Sequence, residues 1–168
     1  MSDAYSPVPE LNLLKAFQDR TGPVFYSEGF ELHAYGEDAG LGTWSEDPEF
    51  VSRFIPFANA TGSGSNYAFW RCDDRPDVAD LPIAFIGDEG DLYIVARNLL
   101  ELLQLLTIDN EWLEPDFVEQ HTGAHVEYVA WLDETFGLRP PEDARALRDL
   151  SKEDDARFQA WLGRFGIE

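Results

Sequence analysis

At 168 residues, 44% of them hydrophobic and 14% aromatic, the chain has enough apolar material for one full core, which excludes an intrinsically disordered protein. Its net charge of −21 sets it against direct binding to nucleic acid or to an anionic membrane surface. No apolar run reaches membrane-spanning length, the opening MSDAYSPVPE lacks the basic and apolar regions of a signal peptide, and the lone Cys72 cannot form an internal disulfide.

These features fit a single cytoplasmic domain spanning 1–168. The charge is unevenly spread. Residues 21–52 hold seven acids and 98–138 hold nine, with no Lys or Arg in either stretch. Outside them the balance is nearly even, so one strongly negative surface results if the two stretches meet in space. Such a surface attracts a basic partner and speeds encounter with it.

Residues 1–8 read as a loose arm. Pro9 and Glu10 open a helix that runs to about Arg20, with Leu11, Leu14 and Phe17 on its apolar face, and Thr21-Gly22-Pro23 ends it. From Val24 to Tyr35, Phe30, Leu32 and Ala34 alternate with Glu31, His33 and Tyr35, the pattern of a half-buried strand with His33 on its polar face. Gly36 to Gly42 is an acidic glycine-rich loop without the lysine of a phosphate loop or the spacing of an EF-hand. Trp44 to Arg53 predicts a short helix capped by Ser45, with Phe50 and Phe54 four apart and able to pack.

Two hairpins follow. Phe54 to Arg71 predicts two strands around the turn Thr61–Asn66, and Pro56 marks an edge or a bulge. Cys72 to Asp80, with four aspartates, reads as a solvated loop, and the acids beside Cys72 disfavour its thiolate. Leu81 to Ala96 predicts two more strands around Gly87–Gly90, with Asp88 and Glu89 at the tip. Leu99, Leu102, Leu103 and Leu106 then make the apolar stripe of a core helix over Arg97–Leu106. The expected fold class is therefore α+β, a mainly antiparallel sheet of hairpins from Val24 to Val95 with one face covered by helices.

Thr107 to Phe117 is an acidic loop around Trp112. His121 and His125 lie four apart and would share a metal on a helix, but Gly123 between them marks a helix boundary and HExxH is absent. No metal and no cofactor is expected. Val126, Val129, Leu132 and Phe136 predict a helical apolar face that ends at Gly137. Residues 138–168 read as a helical extension. Its two helices have faces marked by Leu147 and Leu150 and by Phe158, Trp161, Leu162 and Phe165, suited to capping the sheet or meeting another subunit.

Several segments also carry a resemblance in order and spacing. They are Phe54-Ile-Pro-Phe57, Gly62-Ser-Gly-Ser65 with Tyr67-Ala-Phe-Trp70, Pro82-Ile-Ala-Phe-Ile-Gly87, Glu89-Gly90 and Asn98-Leu-Leu-Glu-Leu-Leu103. Over this third of the chain the sequence resembles the SUKH superfamily, which groups a yeast cell-wall assembly regulator with many bacterial immunity proteins. The resemblance implies a binding protein rather than an enzyme. In bacteria it implies an immunity protein that blocks a cognate toxin, often a nuclease or deaminase with a basic groove. The expected partner is thus a basic protein, a toxin domain, and the expected contact residues are Glu37, Asp38, Trp44, Asp88, Glu89, Trp112, Glu114 and Asp116. The alternatives are a regulatory scaffold of the yeast type and a metal-dependent hydrolase using His121 and His125.

Overall fold

The computed structural model describes residues 5–110, 113 and 123–167. Five strands form one antiparallel sheet in sequence order: β1 (Glu31–Leu32), β2 (Phe54–Asn59), β3 (Asn66–Trp70), β4 (Ile83–Ile86) and β5 (Leu92–Ala96). The helices are α1 (Pro9–Thr21), α2 (Pro48–Ser52), α3 (Leu99–Leu105), α4 (Gly123–Phe136), α5 (Ala144–Asp149) and α6 (Lys152–Gly163). The fold is α+β, as the hairpin pattern predicts. No helix among the described residues is long and apolar enough to cross a membrane.

The sheet is buried on both faces, not one. Tyr67, Phe69, Ile83, Phe85 and Val95 point into a first core with Leu11, Leu14 and Phe17 of α1, Leu99, Leu102 and Leu103 of α3, and Tyr128 and Leu132 of α4. Their neighbours Ala68, Trp70, Ala84, Ile86, Leu92 and Ile94 point into a second core with Phe50 of α2 and Phe158 and Leu162 of α6. The physical reason is visible in the strands. Ile83-Ala-Phe-Ile86 is buried throughout, and near-continuous apolar strands belong to sheets covered on both sides.

The C-terminal segment is accordingly part of the core and not an extension. Trp161 stacks on Phe50 with ring centroids 5.5 Å apart, and Phe158 meets Trp70 at 5.0 Å. Phe50 and Phe54 meet edge-on at 5.2 Å, as their spacing predicts.

Two bulges adjust the register. Pairing shifts between Pro56 and Ala58, as Pro56 predicts, and again between Ile83 and Ala84. Each lets two successive residues, Phe57–Ala58 and Val95–Ala96, serve the first core.

Both sheet edges are occupied by side chains. On β1, Gln18 Oε1 accepts from Leu32 N at 2.8 Å, and Gln18 Nε2 donates to Leu32 O at 3.3 Å. On β5, Asp155 Oδ1 accepts from Ile94 N at 2.9 Å, and Gln159 Nε2 donates to Leu92 O at 3.0 Å. Exposed edge groups invite pairing with a second chain, and α1 and α6 remove that invitation.

Other local expectations need correction. The strand expected over Val24–Tyr35 shrinks to Glu31–Leu32, because Gly29 turns the chain at φ 76° and leaves Val24 and Phe25 exposed. The arm is anchored from Tyr5 to Val8. Ser6 and Val8 are buried, Asn12 bonds the Ser6 backbone on both sides, and the Tyr5 hydroxyl donates to His33 O. Helix α2 starts at Pro48 and is capped by Asp47, whose carboxylate accepts from Glu49 N at 2.9 Å, in place of Ser45. In α4 Leu132 is buried and Phe136 packs against the first core, as expected, but His125 and Tyr128 fill the rest of the buried face and Val126 is 61% exposed. Leu150 is likewise exposed, and α5 buries none of its residues.

Candidate partner-binding groove

Three loops converge at one end of the sheet. They are the acidic loop Gly36–Ser45, the β2–β3 turn Thr61–Ser65 and the β4–β5 tip Gly87–Asp91. Together they line a groove of about 400 Å³, formed by Ala39, Gly40, Thr43, Trp44, Gly64, Ile86, Gly87, Asp88 and Gly90. The three loops carry five carboxylates, Glu37, Asp38, Asp88, Glu89 and Asp91, all exposed, and neither Lys nor Arg.

Glycine shapes these turns at two points. Gly64 at φ 118° and Gly90 at φ 109° hold conformations that other residues rarely adopt.

Asp88 ties the two hairpins together. Its Oδ1 accepts from Ser65 Oγ at 2.5 Å and Ser63 Oγ at 3.2 Å, and its own N–H donates to Ser65 Oγ at 3.1 Å. The Ser65 hydroxyl above all, helped by Ser63, holds the Asp88 carboxyl below the usual aspartate range. Asp88 therefore stays ionised and is a weak base, a poor activator for either serine. The sign follows from linkage. A carboxyl whose pKa is depressed by folding stabilises the fold at neutral pH, and this contribution is lost as pH falls through its folded value. Replacing Ser65 with alanine is expected to raise the apparent pKa of Asp88 toward that of a free aspartate, read by NMR titration of its side-chain carboxyl carbon. An unmoved titration would remove the serine contacts as the cause.

Other members of the groove are set by local bonds. Asp38 Oδ1 accepts from Gly40 N at 3.0 Å, which folds the acidic loop over. Glu37 Oε2 lies 3.4 Å from His33 Nδ1, and the other ring nitrogen of His33 is 2.8 Å from Asn66 Oδ1, so this histidine is half-buried rather than on a free polar face. Trp44 is half-buried, packing against the edge of the second core while lining the groove.

Of the expected contact residues, Trp44 and Asp88 line the groove, and Glu37, Asp38 and Glu89 belong to its loops. Trp112, Glu114 and Asp116 lie outside the described residues, as does His121. Where the described parts of the two acid-only stretches touch, they do so away from the groove. Ser27 Oγ donates to Leu106 O at 2.8 Å, and Glu28 N donates to Asp109 Oδ1 at 2.9 Å. The negative rim of the groove is completed instead by the β4–β5 tip.

His125 is a core residue. Its ring nitrogens lie 2.8 Å from Tyr26 O and 3.2 Å from Thr107 O, with Asp109 Oδ1 at 3.6 Å. Among the described residues no group of three His, Cys, Asp or Glu side chains is arranged to hold a metal. In the Cys72–Asp80 loop, Arg75 clasps Asp73 at 2.7 and 2.8 Å and holds its carboxyl well below the usual range. The Cys72 thiol is pushed up chiefly by burial, with Asp73 a lesser cause than the adjacent carboxylates alone would suggest.

A scan against protein-family models and searches of curated proteins and of solved structures give no match to this chain.

Proposed function

We propose that this chain is a binding protein that takes a basic protein partner at the three-loop groove, in the manner of an immunity protein neutralising a toxin domain. One observation carries the reading. The three loops that line a concave surface with a half-buried tryptophan carry five exposed carboxylates and no cation, and one of the five, Asp88, lines the groove itself. Interfaces gain affinity from aromatic anchors in pockets, and complementary charge sets approach and register. The resemblance to SUKH immunity proteins supports the same role, and the single cysteine fits action in the cytoplasm.

The test is capture from the native host, followed by binding kinetics. The captured protein is expected to be basic, and its activity to be blocked by stoichiometric addition of this chain. Raising salt beyond roughly 0.15 M, where the screening length is about 8 Å, should slow association. Reversing Glu37, Glu89 and Asp91 to lysine should slow it by about tenfold or more at low salt, with little change in dissociation. Asp88 and Asp38 are left out of that set because Asp88 latches the hairpins and Asp38 holds the acidic loop through Gly40 N. An acidic partner, or association indifferent to both salt and the reversals, would overturn the reading.

A further inference from the structure

We infer that the groove beside Trp44 receives a single arginine side chain from a protruding loop of a protein partner, an inference that rests on the binding reading above. About 400 Å³ lies at the small end of ligand pockets, roughly 300–1,000 Å³, so the groove has room for one long side chain and is too small for a helix.

Trp44 supplies an aromatic surface and Ala39 an apolar one. Asp88 supplies a fixed carboxylate. A carboxylate has about four acceptor sites, and Ser63 and Ser65 both address Oδ1, so acceptor capacity remains for an incoming donor. The same two serines keep Asp88 ionised and immobile, which lowers the ordering cost of binding. Glu37, Asp38, Glu89 and Asp91 stand in the surrounding loops, and no Lys or Arg of those loops competes for them.

A groove with an aromatic surface, an apolar surface and a carboxylate selects guanidinium over ammonium. Guanidinium is planar, carries five donors, stacks on aromatic rings and sheds water more readily than the compact lysine head. Gly64 and Gly90 carry no side chains to obstruct the mouth. The occupant is thus an arginine at the tip of a loop, the part of a folded partner best able to reach into a small recess.

The experiment uses the full chain labelled with 15N and three capped tripeptides, Gly-Arg-Gly, Gly-Lys-Gly and Gly-citrulline-Gly. The indole N–H of Trp44 is assigned by its loss in Trp44→Phe. The arginine peptide is expected to move the Trp44 indole and the Gly40, Gly64 and Gly90 amides together, and to saturate them. The citrulline peptide should bind at least about tenfold more weakly and the lysine peptide about two- to fivefold more weakly. Trp44→Ala and Asp88→Asn should each weaken the arginine peptide by about fivefold or more, and Trp44→Phe, which keeps a ring, by less. An unmoved Trp44 indole overturns the inference. So do equal shifts from arginine and citrulline, or shifts spread over the whole acidic surface. If the groove fails this test while a basic partner is still captured and still slowed by the charge reversals, only the arginine assignment falls. If capture fails as well, the binding reading falls with it.

Discussion

Phe158→Ala is expected to lower the stability of the whole domain by about 3–5 kcal/mol, the range for emptying a fully buried phenylalanine site. Phe158 is completely buried on α6 and packs its ring against Trp70, Phe54 and Trp161, with centroids 5.0, 6.0 and 6.0 Å away. It therefore sits between the last helix and the second face of the sheet. Domains of this kind are stable by about 5–15 kcal/mol in total, so the loss is a large fraction of what exists. Urea denaturation followed by circular dichroism measures it. Leu150→Ala serves as the control, because Leu150 is 45% exposed and its loss should stay within about 0.5 kcal/mol. A Phe158→Ala variant that loses less than about 1 kcal/mol would restore the view of residues 138–168 as an appendage.

Why that view arises from the sequence alone is instructive. A helix such as α6, with Phe158, Trp161, Leu162 and Phe165 on one face, announces that it must cover something, but not what. The answer is written in the strands. Tyr67-Ala-Phe-Trp70 and Ile83-Ala-Phe-Ile86 have no polar alternation, so both of their faces need a cover. Helices α1 and α3 are legible from apolar residues three and four apart, and the four main strands from short apolar runs bounded by Gly, Ser, Pro and Asp turns. The first strand was not legible to its true length, because alternation in Phe30-Glu-Leu32 says nothing about Gly29 upstream, where the backbone turns. On α4 the pattern places Leu132 correctly but picks Val126 where His125 is buried, because Val126 outranks His125 in apolarity. Burial of a histidine depends on distant carbonyls, here those of Tyr26 and Thr107, which no local pattern reveals.

The groove was legible only in pieces. Trp44, Glu37, Asp38, Asp88 and Glu89 stand out by residue type, and the structure gathers them at one end of the sheet. Gly40, Gly64, Gly87 and Gly90 line it too, yet in sequence they read simply as turn residues. The common location of Gly64, Gly87 and Gly90 follows from the meander itself, whereas the loop carrying Gly40 leaves β1 toward the start of β2 and folds back to join them. In an antiparallel order β2-β3-β4-β5, the turns after β2 and β4 lie at the same end. The Ser65–Asp88 latch is a consequence of that topology and has a sequence separation that no motif spans.

His125→Phe is expected to cost about 2–4 kcal/mol, from lost hydrogen bonding and from a somewhat larger ring. The imidazole is buried on α4 and links that helix to two other segments, through Tyr26 O at 2.8 Å and Thr107 O at 3.2 Å. A phenyl ring offers no N–H to either carbonyl and is larger than the imidazole it replaces, and a buried polar group that loses its partner costs about 1–3 kcal/mol. Asp109, buried and 3.6 Å from the same ring, also loses a polar neighbour. Val126→Ala, one residue along and facing solvent, should change stability by less than about 0.5 kcal/mol. The pair of variants thus reads out which face of α4 is structural. It also separates the core role of His125 from the metal-dependent hydrolase alternative, in which His125 serves as a ligand. A structural histidine predicts a fall in urea midpoint for His125→Phe and no tight zinc binding by the native chain in calorimetry. A stoichiometric sub-micromolar zinc site that disappears in His125→Phe while the urea midpoint stays fixed would reverse the assignment, and with it the case for a binding protein over an enzyme.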